Sequence, residues 1–136
     1  MAYNAQDAQL TKTKALPASA GSASTDAIDL GTLSNYGARV EDIEVELTRP
    51  ALGATPIPDT KTITYKIESD TTSAFSSATQ ISVSVVETGA DSAGVDGGTT
   101  RFKVPSNCER YIRATATTGT GTADCSDSSM TLKIKS

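Results

Sequence analysis

The segment Thr60–Glu87, TKTITYKIESDTTSAFSSATQISVSVVE, limits this chain more than any other. Ile63, Tyr65 and Ile67 alternate with Thr62, Thr64, Lys66 and Glu68, and Ile81, Val83 and Val85 alternate with Gln80, Ser82 and Ser84. Successive side chains of a strand point to opposite faces, so each run predicts a strand with one buried and one wetted face. The polar connector between them, Ser69–Ala78, holds one large apolar residue, Phe75. Two readings of Phe75 stand side by side: a plug capping one end of the core, or an anchor that a neighbouring subunit grips.

The same period recurs along the chain. Gln9–Lys14 reads as a weak edge strand whose Lys12 and Lys14 discourage unwanted pairing. Thr25–Leu30 is a short strand with Ile28 and Leu30 inward, and Leu33–Arg39 is a turn built on Asn35 and Gly37. Glu41–Thr48 sets Ile43, Val45 and Leu47 against Asp42, Glu44 and Glu46. Pro50 stops that strand, and Pro56 and Pro58 keep the following loop out of the sheet. Gly89–Gly98 is a loop rich in Gly and Asp, followed by the strand Thr99–Val104 with Phe102 and Val104 inward. Arg110–Thr117 and Met130–Lys135 close the chain, read as a hairpin reversing near Gly119–Gly121. About eight short strands without a helix predict an all-β fold, a two-sheet antiparallel sandwich that is jelly-roll-like or another Greek key. Residues 1–7 read as a flexible N-terminal arm and 8–136 as one domain.

A chain of 136 residues can bury a single core without metal or disulfide staples. That core must be aliphatic, because the chain has no Trp, two Phe and four Tyr. No apolar run nears the ~20 residues that cross a bilayer, and Met1–Leu16 lacks the pattern of a secretory leader, so synthesis in a cytoplasm is expected. The net charge of −4 is uneven: residues 1–100 hold six Lys/Arg against thirteen Asp/Glu, and residues 101–136 hold six against three. An acidic chain argues against nucleic acid as the main partner. Cys108 and Cys125 match no zinc spacing and read as free thiols; a bridge between them is disfavoured by the expected hairpin register.

Chemistry is hard to find. With no His, the commonest general base and every Ser-His or Cys-His arrangement are missing, and no enzyme activity is expected. Glu44 and Glu46 share a strand face, as carboxylates on any wetted strand do. Asp91–Asp96 invites calcium, but the spacing departs from an EF-hand loop and Asp and Gly are ordinary turn residues. No cofactor or metal site is expected.

Four stretches together resemble the jelly-roll cement (decoration) proteins of tailed-bacteriophage capsids. They are DAQLTKTKALPASAGSASTDAIDLG (Asp7–Gly31), NYGARVEDIEVEL (Asn35–Leu47), ITYKIESDTTSAFSSATQI (Ile63–Ile81) and RYIRATATTGTGTADCSDSSMTLKI (Arg110–Ile134). The acidic strand and the prominent Pro50–Pro58 loop depart from the family's pattern. The resemblance implies a protein of the outer capsid surface that binds the major capsid protein, forms homodimers or homotrimers, and clamps neighbouring subunits, with neither nucleic acid nor membrane as partner. The residues expected to make capsid or subunit contacts are Tyr3 and Asn4 in the arm, Asn35, Tyr36 and Arg39 in the turn, Pro50, Pro56 and Pro58 in the loop, and Phe75. An arm of about seven residues reaches at most ~25 Å. The alternative is a receptor- or carbohydrate-binding sandwich of a virion spike or surface adhesin, although the aromatics that stack on sugars are few.

Overall fold

The computed structural model describes residues 11–30, 43–82, 84–105 and 108–135. These form ten strands and no helix: β1 (Thr11–Ala15), β2 (Gly21–Ser24), β3 (Ile28–Asp29), β4 (Glu44–Arg49), β5 (Thr62–Asp70), β6 (Thr79–Gln80), β7 (Val85–Thr88), β8 (Gly98–Lys103), β9 (Tyr111–Thr118) and β10 (Ser129–Lys135). One sheet runs β1-β10-β4-β8; the other runs β2-β9-β5-β6, with β3 also on β9 and β7 also on β5. All strand pairs are antiparallel. The pairs nest from the outside in: β1 with β10, β2 and β3 with β9, β4 with β8, β5 with β6 and β7. One long antiparallel ribbon is thus rolled into two facing sheets, which is the jelly-roll arrangement. If β2 with β3 and β6 with β7 are each counted as one interrupted strand, eight remain.

The sheets meet over an aliphatic core. Val45, Leu47, Ile63, Tyr65, Ile67, Ile112, Ala114, Ala116, Met130, Leu132 and Ile134 are buried at alternate positions of β4, β5, β9 and β10. The outer face of the first sheet carries charge in register: Glu46 lies between Lys133 on β10 and Arg101 on β8, with Arg101 Nε 3.1 Å from Glu46 Oε2 and 3.8 Å from Glu44. The acidic β4 face is therefore the middle rung of a charge ladder. On edge strand β1, Lys12 and Lys14 pair with the inward Leu132 and Met130, so their charges sit at the mouth of the core and oppose further sheet growth.

Two expectations are corrected. The closing strands are not a hairpin: β9 lies in one sheet and β10 in the other. Residues 119–128 cross the end of the sandwich, held where Ala123 N–H donates to Pro56 O and Cys125 N–H to Pro17 O, with Cys125 buried. The second strand of the opening segment is also broken. Ser82 Oγ accepts the Ile67 N–H at 2.9 Å in place of a backbone carbonyl, and Gln80 Nε2 donates to Ser82 O and Ser84 Oγ. The side chains occupy ladder positions and split the run into β6 and β7.

The 50–60 loop is no free flap. Leu52 and Ile57 are buried in the core, and Leu52 exchanges backbone hydrogen bonds with Val95 at 2.8 and 2.9 Å. Gly94, at φ +73°, lies against this loop so closely that a Cβ there would overlap the Leu52 carbonyl oxygen.

Candidate functional site

Three of the four sequence stretches that carry the resemblance, those holding Asp29, Phe75 and Arg110, meet at the end of sheet β2-β9-β5-β6 where β5 finishes and β9 begins. Strand β3 supplies Asp29, opposite Tyr111 in register. Arg110 Nε and Nη2 donate to the two Asp29 carboxylate oxygens at 2.8 and 2.9 Å, a bidentate geometry that fixes the planar guanidinium. Its carbon lies 5.1 Å from the Tyr111 ring centroid, and the Asp29 hydrogen bonds and charge raise the Arg110 pKa above its ordinary value. Arg110 nonetheless remains largely exposed.

Three residues on, Arg113 lies on the opposite face of β9 from the buried Ile112 and Ala114. Its Nε donates to Glu68 Oε1 at 3.1 Å, and its guanidinium covers the Phe75 ring at 4.4 Å from the centroid. Glu68 Oε1 also accepts the Thr115 hydroxyl at 2.7 Å, while Lys66 Nζ lies 3.5 Å from Oε2. Burial pushes the Glu68 pKa up, but the Thr115 hydroxyl, Arg113 and Lys66 together outweigh it, and the carboxyl ends below its ordinary range.

The connector that carries Phe75 is folded by Asp70. Its Oδ2 accepts the Ser77 N–H at 2.8 Å and its Oδ1 accepts the N–H groups of Thr71 and Thr72 at 2.6 and 3.4 Å. These bonds, the one from Ser77 foremost, hold the Asp70 carboxyl below its ordinary pKa. They also close the turn in which Phe75 adopts φ +53°, a left-handed conformation costing an L residue about 1–2 kcal/mol. Phe75 is 8% exposed yet stands outside the main core cluster. It packs over the outer side of the sheet against Arg113, so the plug lies on the sheet rather than in the end of the sandwich.

The other expected contact residues are placed as follows. Tyr3, Asn4, Asn35, Tyr36 and Arg39 lie outside the described residues. Pro50, Pro56 and Pro58 are half-buried and precede β5, whereas Phe75 follows it. The nine residues of β5 span about 26 Å, and Phe75 sits over Arg113, opposite Glu68 near its far end, so the loop and Phe75 lie toward opposite ends of that strand.

One cluster has no counterpart in the sequence reading. Arg49 at the end of β4 and Glu87 on β7 meet between the sheets, Nη1 to Oε2 at 3.0 Å, with side chains only 10% and 12% exposed. Arg49 Nη2 donates to Thr100 Oγ1 at 3.0 Å, and Glu87 Oε2 accepts the Gly97 N–H at 3.0 Å. The guanidinium carbon stands 5.9 Å from the Tyr65 ring centroid, and burial, then the nearby Glu87 charge, raises the Tyr65 pKa. The signal was present: Arg49 continues the inward phase of Ile43, Val45 and Leu47, and Glu87 that of Ile81, Val83 and Val85. Opposite charges in the buried phase of two strands predict a pair across the interior.

Both cysteines are free. Burial pushes the Cys108 thiol up to about 11. A cleft of about 360 Å³ is lined by Glu87, Thr88, Ala90, Asp91, Ala93, Gly94, Val95 and Asp96. Among the described residues, no three His, Cys, Asp or Glu side chains are grouped to hold a metal ion, and no helix is long and apolar enough to cross a membrane.

No protein-family profile matches the chain, and no curated protein sequence matches it. Among solved structures, the fold is similar to PirA, at 10% identity over 93% of this chain and 94% of that one, with a TM-score of 0.47. It is similar to a chain of the cowpea mosaic virus empty virus-like particle at 10% identity, covering 93% of this chain and 77% of that one, TM-score 0.39. For the naturally occurring empty particles of the same virus the values are 11%, 93%, 80% and 0.42. Likenesses this distant carry no functional conclusion.

Proposed function

We propose that this chain is a structural virion protein, a cement protein that binds the outer surface of an icosahedral phage head and clamps neighbouring major capsid subunits. A jelly roll by itself hosts shells, lectins and other proteins, so the reading must rest on particular residues. It rests on one observation: stretches far apart in sequence that resemble the cement family are tied together in space. Arg110 and Arg113 of the R-Y-I-R start grip Asp29 of I-D-L-G and Phe75 of A-F-S-S. In three of its four stretches the resemblance therefore falls on residues that meet at one end of the sandwich, which supports a shared architecture over a chance match of short words.

On this reading the chain performs no catalysis. Its partners are the major capsid protein and copies of itself in a homodimer or homotrimer, and repetition over a shell turns modest contacts into firm retention. The test adds the purified full chain to heads assembled without it and measures co-sedimentation and resistance to heat and osmotic shock. Binding with added resistance is expected. Absence of both would overturn the proposal, and specific glycan binding by the isolated chain would favour the receptor- or carbohydrate-binding alternative instead.

A further inference from the structure

We infer that the sandwich interior holds a bound water molecule among Arg49, Tyr65 and Glu87, bridging the two sheets. The inference is independent of the proposed function. Arg49 comes from the sheet of β4; Tyr65 and Glu87 come from the facing sheet, on β5 and β7. Ile63 and Glu87 are opposite in register, as are Tyr65 and Val85. Both Tyr65 and Glu87 therefore point with the buried Ile63 into the interior.

Most of the polar capacity of this cluster is met within the protein. The Arg49 Nη groups reach Glu87 Oε2 and Thr100 Oγ1, and the Gly97 N–H completes Oε2. Three buried atoms remain without a hydrogen-bond partner among the described residues: Arg49 Nε, Tyr65 OH and Glu87 Oε1. No other buried side-chain nitrogen or oxygen of the described residues shares that state. Native interiors rarely leave even one such group unmatched, and three within a single cluster mark a site.

Their chemistry selects the occupant. Arg49 Nε can only donate, Glu87 Oε1 can only accept, and the Tyr65 hydroxyl can do either. A ligand satisfying all three must accept and donate at once. A cation would face the guanidinium and an anion the carboxylate, so a neutral molecule fits. Water accepting from Nε, donating to Oε1 and sharing a third bond with the hydroxyl makes the three bonds usual for a buried water.

The test is a high-resolution crystal structure of the full chain, joined to the thermal midpoint of Tyr65→Phe. The expected result is a density peak within about 2.6–3.2 Å of all three atoms, with a lowered midpoint for Tyr65→Phe, because the water loses one of its partners. A dry site in the map would overturn the inference, including one where the Tyr65 hydroxyl turns to bond Glu87 directly. A raised midpoint for Tyr65→Phe would overturn it too, since removing an unsatisfied buried hydroxyl relieves the fold.

Discussion

Phe75→Ala separates packing from partner contact. Phe75 is almost fully buried by its own chain and its ring lies 4.4 Å beneath the Arg113 guanidinium. Burying a side chain of this size stabilises by about 1.5–3 kcal/mol, and the cation–π contact adds about 0.5–2 kcal/mol. Truncation should thus cost about 2–4 kcal/mol, or roughly 6–16 °C of Tm for a domain of this size. The backbone gives a second signature. At φ +53°, alanine inherits the left-handed strain and glycine does not, so Phe75→Gly should match or exceed Phe75→Ala in stability, against the usual order. Urea titrations of the isolated chain, followed by circular dichroism, measure both. If Phe75→Ala costs less than about 0.5 kcal/mol, within the range of ordinary surface changes, the packing account is wrong. Unchanged stability with lost shell binding would make Phe75 a contact residue instead.

Other consequences can be checked in the same preparations. Gly94→Ala should lower the thermal midpoint sharply, because its Cβ meets the Leu52 carbonyl oxygen and its φ of +73° disfavours any L residue; a neutral result would contradict the close packing of the two loops. Glu68 and Asp70 have folded pKa values below their ordinary ones. Their contribution is therefore full above the unfolded carboxylate range near pH 4 and lost as pH falls through the lower folded values. Midpoints measured from pH 7 to pH 2.5 should fall less steeply in Glu68→Gln and Asp70→Asn than in the parent, and equal slopes would refute that assignment. Cys108, raised to about 11, should react with iodoacetamide at pH 8 roughly 100-fold more slowly than an unperturbed thiol; fast alkylation followed by mass spectrometry would show the thiol to be open.

Period-two patterning made the strands legible, since Ile63, Tyr65 and Ile67 or Met130, Leu132 and Ile134 have only one way to face a core. It could not say which sheet a strand joins. Gly119 and Gly121 signal a reversal equally well for a hairpin or for a crossing between sheets, and the crossing is settled by buried Cys125 and the bond to Pro17, both long-range. Prolines mark the Pro50–Pro58 loop as lying outside the ladder, yet Leu52 and Ile57 carry it back into the core. Phe75 was visible as an oddity, but its place outside the sheet depends on Asp70 gathering three N–H groups, a local device that no periodicity encodes. The Arg110–Asp29 and Arg113–Phe75 contacts join residues more than thirty positions apart, which only the fold can reveal.

The central claim is that this sandwich occupies defined places on the outside of a phage shell. Counting labelled copies bound per head, as purified chain is titrated onto heads assembled without it, tests that claim most directly. The account predicts saturation at a fixed copy number set by the symmetry-equivalent sites of the shell, lowered in apparent affinity by variants that disrupt the contact surface without unfolding the chain. Adsorption that never saturates, or no binding at all, would contradict it.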